Sequence, residues 1–176
     1  MCLPASKQAF LVNHPDTIYS LLEVYRLLKE PYWHDPLSVV GAEIAGGRWN
    51  PPGIGILYTA SSPALALLET LVHFPRVPYE QLPRLRVFSL KIPDDAVRWI
   101  DPEAFPDEWA EPIAISLTQA LFSEWLTNPT DLALAVPSAV MDISFNFILH
   151  PKHPRYKDVI VTDQNEIRLD GRLWRA

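Results

Sequence analysis

Residues 46–74 read GGRWNPPGIGILYTASSPALALLETLVHF, and the rest of the chain is read outward from them. Ile56–Thr59 is a short apolar run after a Gly-rich and Pro-rich stretch, which predicts a buried strand. Ser62 followed by Pro63 predicts a helix start, a cap and then a first-turn proline. Ala64, Leu65, Leu67, Leu68, Leu71 and Val72 make that helix apolar around most of its circumference, and it should end near Pro75. Arg48, Tyr58 and Glu69 stand among these apolar and turn-forming residues. A domain of this size has ample solvated surface for charge, so charge placed here predicts a lined cleft.

Outward from this stretch, Leu85–Ile92 alternates Leu85, Val87, Ser89 and Lys91 against Arg86, Phe88, Leu90 and Ile92, which predicts a strand. Trp99 and Ile100 begin another. Pro112–Leu126 predicts a second long helix with Ile113, Leu117, Ala120, Leu121 and Trp125 on its apolar face. Leu132–Val136, Phe145–Leu149 and Val159–Val161 are three further strand candidates. Asp16–Leu28 has apolar residues at mixed spacing, which leaves helix and strand open. Pro31–Gly55 reads as a loop, and residues 1–15 as an arm or loop. With no internal repeat and no boundary, the expectation is one α+β domain over residues 1–176, with a mixed, mainly antiparallel sheet and two principal helices.

The composition narrows the function. The chain has 176 residues with 21 acidic against 15 basic side chains, a net charge of −6, and no Lys/Arg cluster, which argues against direct nucleic-acid or anionic-lipid binding. Cys2 is the only cysteine, so no intrachain disulfide and no multi-cysteine zinc site can form, which fits the cytoplasm. No run approaches the length of a membrane span, and the N-terminus does not read as an export signal. His150 and His153 lack a carboxylate or cysteine at ligand spacing, and no metal is expected. The 18 prolines are scattered, which predicts short elements and stiff loops.

In order along the chain come Tyr25-Arg26-Leu27, GGRWN at 46–50, ILYTA at 56–60, SPALALLETLVH at 62–73, VPSAV at 136–140, Asn146 and His150-Pro151. Together they resemble a RES domain over about residues 24–172, nearly the whole chain. The resemblance implies a fold related to the ADP-ribosyltransferases. It also implies the toxin half of a RES/Xre toxin–antitoxin pair and an activity that destroys NAD+ at the nicotinamide–ribose bond, by hydrolysis or phosphorolysis. NAD+ would be a substrate, with no retained cofactor. The partner would be an Xre-type antitoxin carrying a helix-turn-helix, and an oligomer with that antitoxin is compatible with the resemblance.

The chemistry of that bond can be set beside the residues. Nicotinamide is a cation that leaves neutral, so no acid need protonate it, and positive charge builds on the ribose instead. A carboxylate beside the sugar stabilises that charge. Glu69, whose helical neighbours are Leu65, Ala66, Val72 and His73, is the candidate; the alternative places it on the helix's one solvated strip. Arg48, between Gly47 and Trp49, suits a diphosphate through two parallel hydrogen bonds, or else satisfies loop carbonyls or stacks on Trp49. Arg26 is read as a second cofactor-facing arginine or an ion-pair partner. Tyr58 would stack on nicotinamide or hold a ribose hydroxyl, or pack in the core. Ser138 would offer one hydrogen bond to phosphate or ribose, or form a turn. Transferases of this fold often carry Glu or Gln two residues before the catalytic Glu; Leu67 stands there, which favours a small acceptor over an ADP-ribosylated macromolecule.

Overall fold

A single cap sets the centre of the fold: the Ser62 hydroxyl accepts from the Leu65 amide and Pro63 fills the first turn of the following helix, as the sequence predicts. The computed structural model describes residues 10–14, 17–75 and 77–174. In chain order these form β1 (Phe10–His14), β2 (Thr17–Lys29), α1 (Val40–Ala45), β3 (Leu57–Ala60), α2 (Pro63–Leu71) and β4 (Leu85–Pro93). They continue as β5 (Val97–Trp99), α3 (Ile115–Leu121), α4 (Ser123–Thr127), β6 (Ala133–Pro137), β7 (Phe145–Leu149) and β8 (Ile160–Ile167).

The strands make one sheet in the order β5-β6-β7-β3-β2-β4-β8, with β1 also paired to β2. Every pairing is antiparallel except β5 with β6, so the architecture is α+β with a mixed, mainly antiparallel sheet. The long strand β2 resolves the open reading of residues 16–28. Its central position gives it apolar residues on both faces, which erases the alternation of a half-buried strand.

Alternation along the paired strands separates two faces. On the front, Ile56, Leu134, Val136 and Ile148 pack beneath Trp49 and the aromatic residues Phe122 and Trp125, while α2 lays Leu65 and Ala66 over Ala60. On the back, Val24, Leu57, Phe88, Leu90, Phe147 and Leu149 form a second layer, capped by Trp33, Leu37 and Val39 from the segment before α1. Burying each such side chain is worth about 1.5–3 kcal/mol. Solvated ion pairs such as Arg84–Glu166 at the rim add little by comparison, so the two layers hold the sheet.

Three expectations change. The Pro31–Gly55 loop contains α1. Phe10–His14 is a strand and not an arm, while residues 1–9, including Cys2, lie outside the described residues. The predicted helix over 112–126 is a 3-10 turn (Pro112–Ala114), then α3, then α4, broken at Phe122 with φ −109° and ψ 12°. Its buried stripe is Ala114, Thr118, Phe122, Trp125 and Leu126, while Ile113 is 88% exposed and Leu117 and Leu121 are about half exposed. Among the described residues no helix is long and apolar enough to cross a membrane.

Candidate functional site

The Gly46–Asn50 turn is built so that only glycine fits at two places. Gly46 has φ +67°, and a Cβ there would lie 2.8 Å from Pro52 Cδ. A Cβ on Gly47 would lie 2.5 Å from the Tyr58 hydroxyl, so the backbone passes directly against the hydroxyl end of that side chain. Tyr58, on β3, donates to Asn50 Oδ1 at 2.7 Å and accepts from the Trp49 amide at 3.2 Å. Asn50 is fully buried and its amide reaches the Ala42 and Ile54 carbonyls at 2.9 and 2.6 Å. From the other side α3 grips the turn. Thr118 Oγ1 lies 2.6 Å from the Arg48 carbonyl, and Gln119 Nε2 donates to the Gly47 carbonyl at 2.8 Å. Burial raises the Tyr58 phenol well above its ordinary range, so it stays neutral and serves as a strut. Asn50, Thr118 and Gln119 are not singled out by the sequence, because polar residues in loops and helix flanks carry no periodic signal.

The turn sends the Arg48 side chain toward residues 109–111. Nη1 donates to the Trp109 and Glu111 carbonyls at 2.7 and 3.2 Å, and Nη2 to the Ala110 carbonyl at 2.9 Å. Among the described residues Nε makes no hydrogen bond, so the Nε side of the fork keeps donor capacity. Burial lowers the Arg48 pKa, and the charges of Glu69 and Glu111 oppose that. Arg48 and Glu69 therefore lie within electrostatic reach of each other.

Glu69 sits two turns into α2, half-buried. Its Oε1 accepts from Ser138 Oγ at 2.7 Å and from Asn146 Nδ2 at short hydrogen-bonding distance. Ser138 follows β6 and is 1% exposed; Asn146, on β7, is 8% exposed and stands opposite both Ala60 and Val136, hence on the front face. Among the described residues nothing donates to Oε2. The arrangement holds one carboxylate oxygen through two donors from different elements and leaves the other without a protein donor among the described residues.

Glu69, Ser138, Tyr58 and Arg48 thus share the front of the sheet, and Arg26 does not join them. Because Tyr25 pairs with Ala60 on the front, its neighbour Arg26 points to the back. There Nη1 donates to the Pro36 carbonyl at 2.9 Å. Burial pulls its pKa down to about 10, with the charge of Asp35 opposing. Trp49 is 3% exposed and packs against Phe105, Trp109 and Phe122, so it is core material. His73 lies exposed past the end of α2. His150 and His153 take backbone amides on Nδ1 from Lys152 and Arg155, which makes them turn caps. Among the described residues no group of three or more His, Cys, Asp or Glu could hold a metal ion.

The RES domain model matches residues 23–170. The chain belongs to the RES domain family. This RES domain is 33% identical over 141 residues to "Toxin Res" of Yersinia enterocolitica, covering 80% of this chain and 91% of that protein. It is also 33% identical over 148 residues to the "Prs ADP-ribosylating toxin" of Sphingobium sp., covering 82% and 90% respectively. Its fold is shared with a chain of the M. tuberculosis MbcT–MbcA toxin–antitoxin complex, with a TM-score of 0.67, 18% identity and 85% of each chain covered.

Proposed function

We propose that this RES domain is the toxin of a toxin–antitoxin pair, and that it destroys cytoplasmic NAD+ by breaking the nicotinamide–ribose bond. The observation that carries the reading is the Glu69 carboxylate, held through Oε1 by Ser138 and Asn146 with Oε2 unengaged. As the C–N bond lengthens, its electron pair goes to the nicotinamide nitrogen and C1′ of the ribose becomes electron-poor. A fixed carboxylate whose second oxygen faces C1′ or a ribose hydroxyl stabilises that state without reorganising. Water or phosphate then forms the new C–O bond at C1′, and an attacking water releases its proton to solvent. The Nε side of Arg48 suits two diphosphate oxygens, and Tyr58 holds the turn that presents it. Glu69, Arg48 and Tyr58 are the residues assigned to this chemistry, NAD+ is substrate with no retained cofactor, and the partner is an Xre-type helix-turn-helix antitoxin.

The test is purified protein with NAD+, following nicotinamide, with and without phosphate. Release of nicotinamide, with free ADP-ribose or its phosphate ester as product, supports the reading; no release overturns it. A second reading, transfer of ADP-ribose to a macromolecule, is favoured by the name of the Sphingobium relative. Leu67, two residues before Glu69, offers no polar group to orient an acceptor, which favours small acceptors. Label from NAD+ appearing on protein or nucleic acid would decide for transfer.

A further inference from the structure

We infer that Asn146 and Ser138 are positioning residues for Glu69 and not contacts for the substrate; the inference rests on the NAD+ reading above. A serine hydroxyl has one proton and two lone pairs. Ser138 spends its proton on Glu69 Oε1, at 2.7 Å, and accepts from the Val140 and Met141 amides, both at 3.0 Å. Nothing remains with which to hold a phosphate or a ribose. The two amides also fix the direction of the Ser138 proton, because with both lone pairs engaged the O–H can point only at the carboxylate.

Asn146 supplies the second donor to the same oxygen. Its backbone is locked by the β3 and β7 pairing opposite Ala60 and by the β6 and β7 pairing opposite Val136. The amide therefore comes from the sheet while the serine comes from the turn after β6, and α2 presents the carboxylate to both. Two donors arriving at one oxygen from different elements leave a glutamate little rotational freedom, and they commit Oε2 to the open side. Hydrogen bonds to a charged group are stronger than neutral ones, so this clamp persists where a neutral pair would exchange with water. Asn146 thereby becomes a determinant of turnover, although it touches no reacting atom.

The prediction is a split between kcat and KM. Asn146→Ala should lower kcat for nicotinamide release by about 10–100-fold, the scale of a small misplacement of a reacting group, while KM for NAD+ changes less than about threefold. Added to Glu69→Ala, the same change should cost nothing further. A raised KM at unchanged kcat would make Asn146 a substrate contact and overturn the inference while leaving the NAD+ reading intact. If the wild-type protein releases no nicotinamide, the NAD+ reading falls and a second measurement still decides the inference. The side-chain amide of Asn146 in the 1H–15N spectrum should shift strongly on Glu69→Ala, and an unmoved signal would mean that the clamp does not exist in solution. Asn146→Leu, of similar size but without a donor, separates lost hydrogen bonding from a cavity and should behave as Asn146→Ala.

Discussion

On the front of the sheet Arg48 leaves a glycine turn, meets three loop carbonyls and lies in the field of Glu69. On the back Arg26 lies buried under residues 35–37, bonded to the Pro36 carbonyl beside Tyr156, whose own hydroxyl donates to the Leu37 carbonyl at 2.7 Å. Both guanidiniums satisfy backbone oxygens. The difference is what else they see: Arg48 feels the charge of the Glu69 carboxylate on the same face and keeps donor capacity on Nε, whereas Arg26 lies beside a phenol and the inner side of a connecting segment. An arginine beside apolar residues thus becomes a candidate site group through the company on its face, and one residue of strand register decides which face that is.

The contrast can be broken most directly at the front. Glu69→Ala should reduce nicotinamide release by about 10²–10³-fold, the cost typical of removing one fixed transition-state contact, in a protein that still folds. Near-normal turnover would remove the reason for assigning the front face any chemistry. Arg48→Ala should act on both counts. A fall in kcat/KM of about 10–100-fold, carried mainly by KM, is expected from losing a charge-assisted phosphate contact. Its three carbonyl partners should make it destabilising as well, by about 1–3 kcal/mol in urea unfolding.

At the back the expected effect is smaller and of another kind. Arg26→Met keeps much of the side chain's volume and removes the hydrogen bond to Pro36, so stability should fall by about 1–2 kcal/mol. Turnover per folded molecule should stay within about threefold, because the Arg26 guanidinium is held on the back by the Pro36 carbonyl. A selective rise in KM for NAD+ would erase the distinction between the two faces. The smallest effect is expected from Tyr58→Phe, through pH. Burial raises the Tyr58 pKa above its ordinary 10.0, so the unfolded chain ionises first. The stability from keeping this phenol neutral is present below pH 10 and is lost as pH rises above it. The variant should be less stable by about 1 kcal/mol near neutrality, having lost both hydrogen bonds of the hydroxyl, yet should lose less than the wild type between about pH 9 and about pH 11. Urea midpoints at the two pH values read both effects.

Much of this arrangement was legible in the chain itself. Ser62-Pro63 announces α2 because capping is local chemistry, and the alternation of Leu85–Ile92 announces β4 because that strand packs one face more heavily than the other. Glu69 stood out because a charge on an otherwise apolar helix is costly unless it is used. The register of β2 was hidden, and with it the place of Arg26, since a strand covered on both sides shows no period of two. The apolar stripe of residues 112–126 misled for a related reason. Ile113, Leu117 and Leu121 look like core, but hydrogen bonds from Thr118 and Gln119 to the Gly46–Asn50 turn rotate α3 so that those residues face outward. Such tertiary hydrogen bonds join residues about 70 positions apart and leave no local trace.

The close passage of Gly47 against the Tyr58 hydroxyl ties two positions together through the generations of this chain. A methyl group at 47 would meet the phenol oxygen at 2.5 Å and the ring carbon that bears it at 3.1 Å, so alanine there should be better tolerated alongside a ring without that oxygen. Sequence drift at either place is therefore a paired event, and a lineage that loses the oxygen first gains freedom at the neighbouring backbone before it loses the turn.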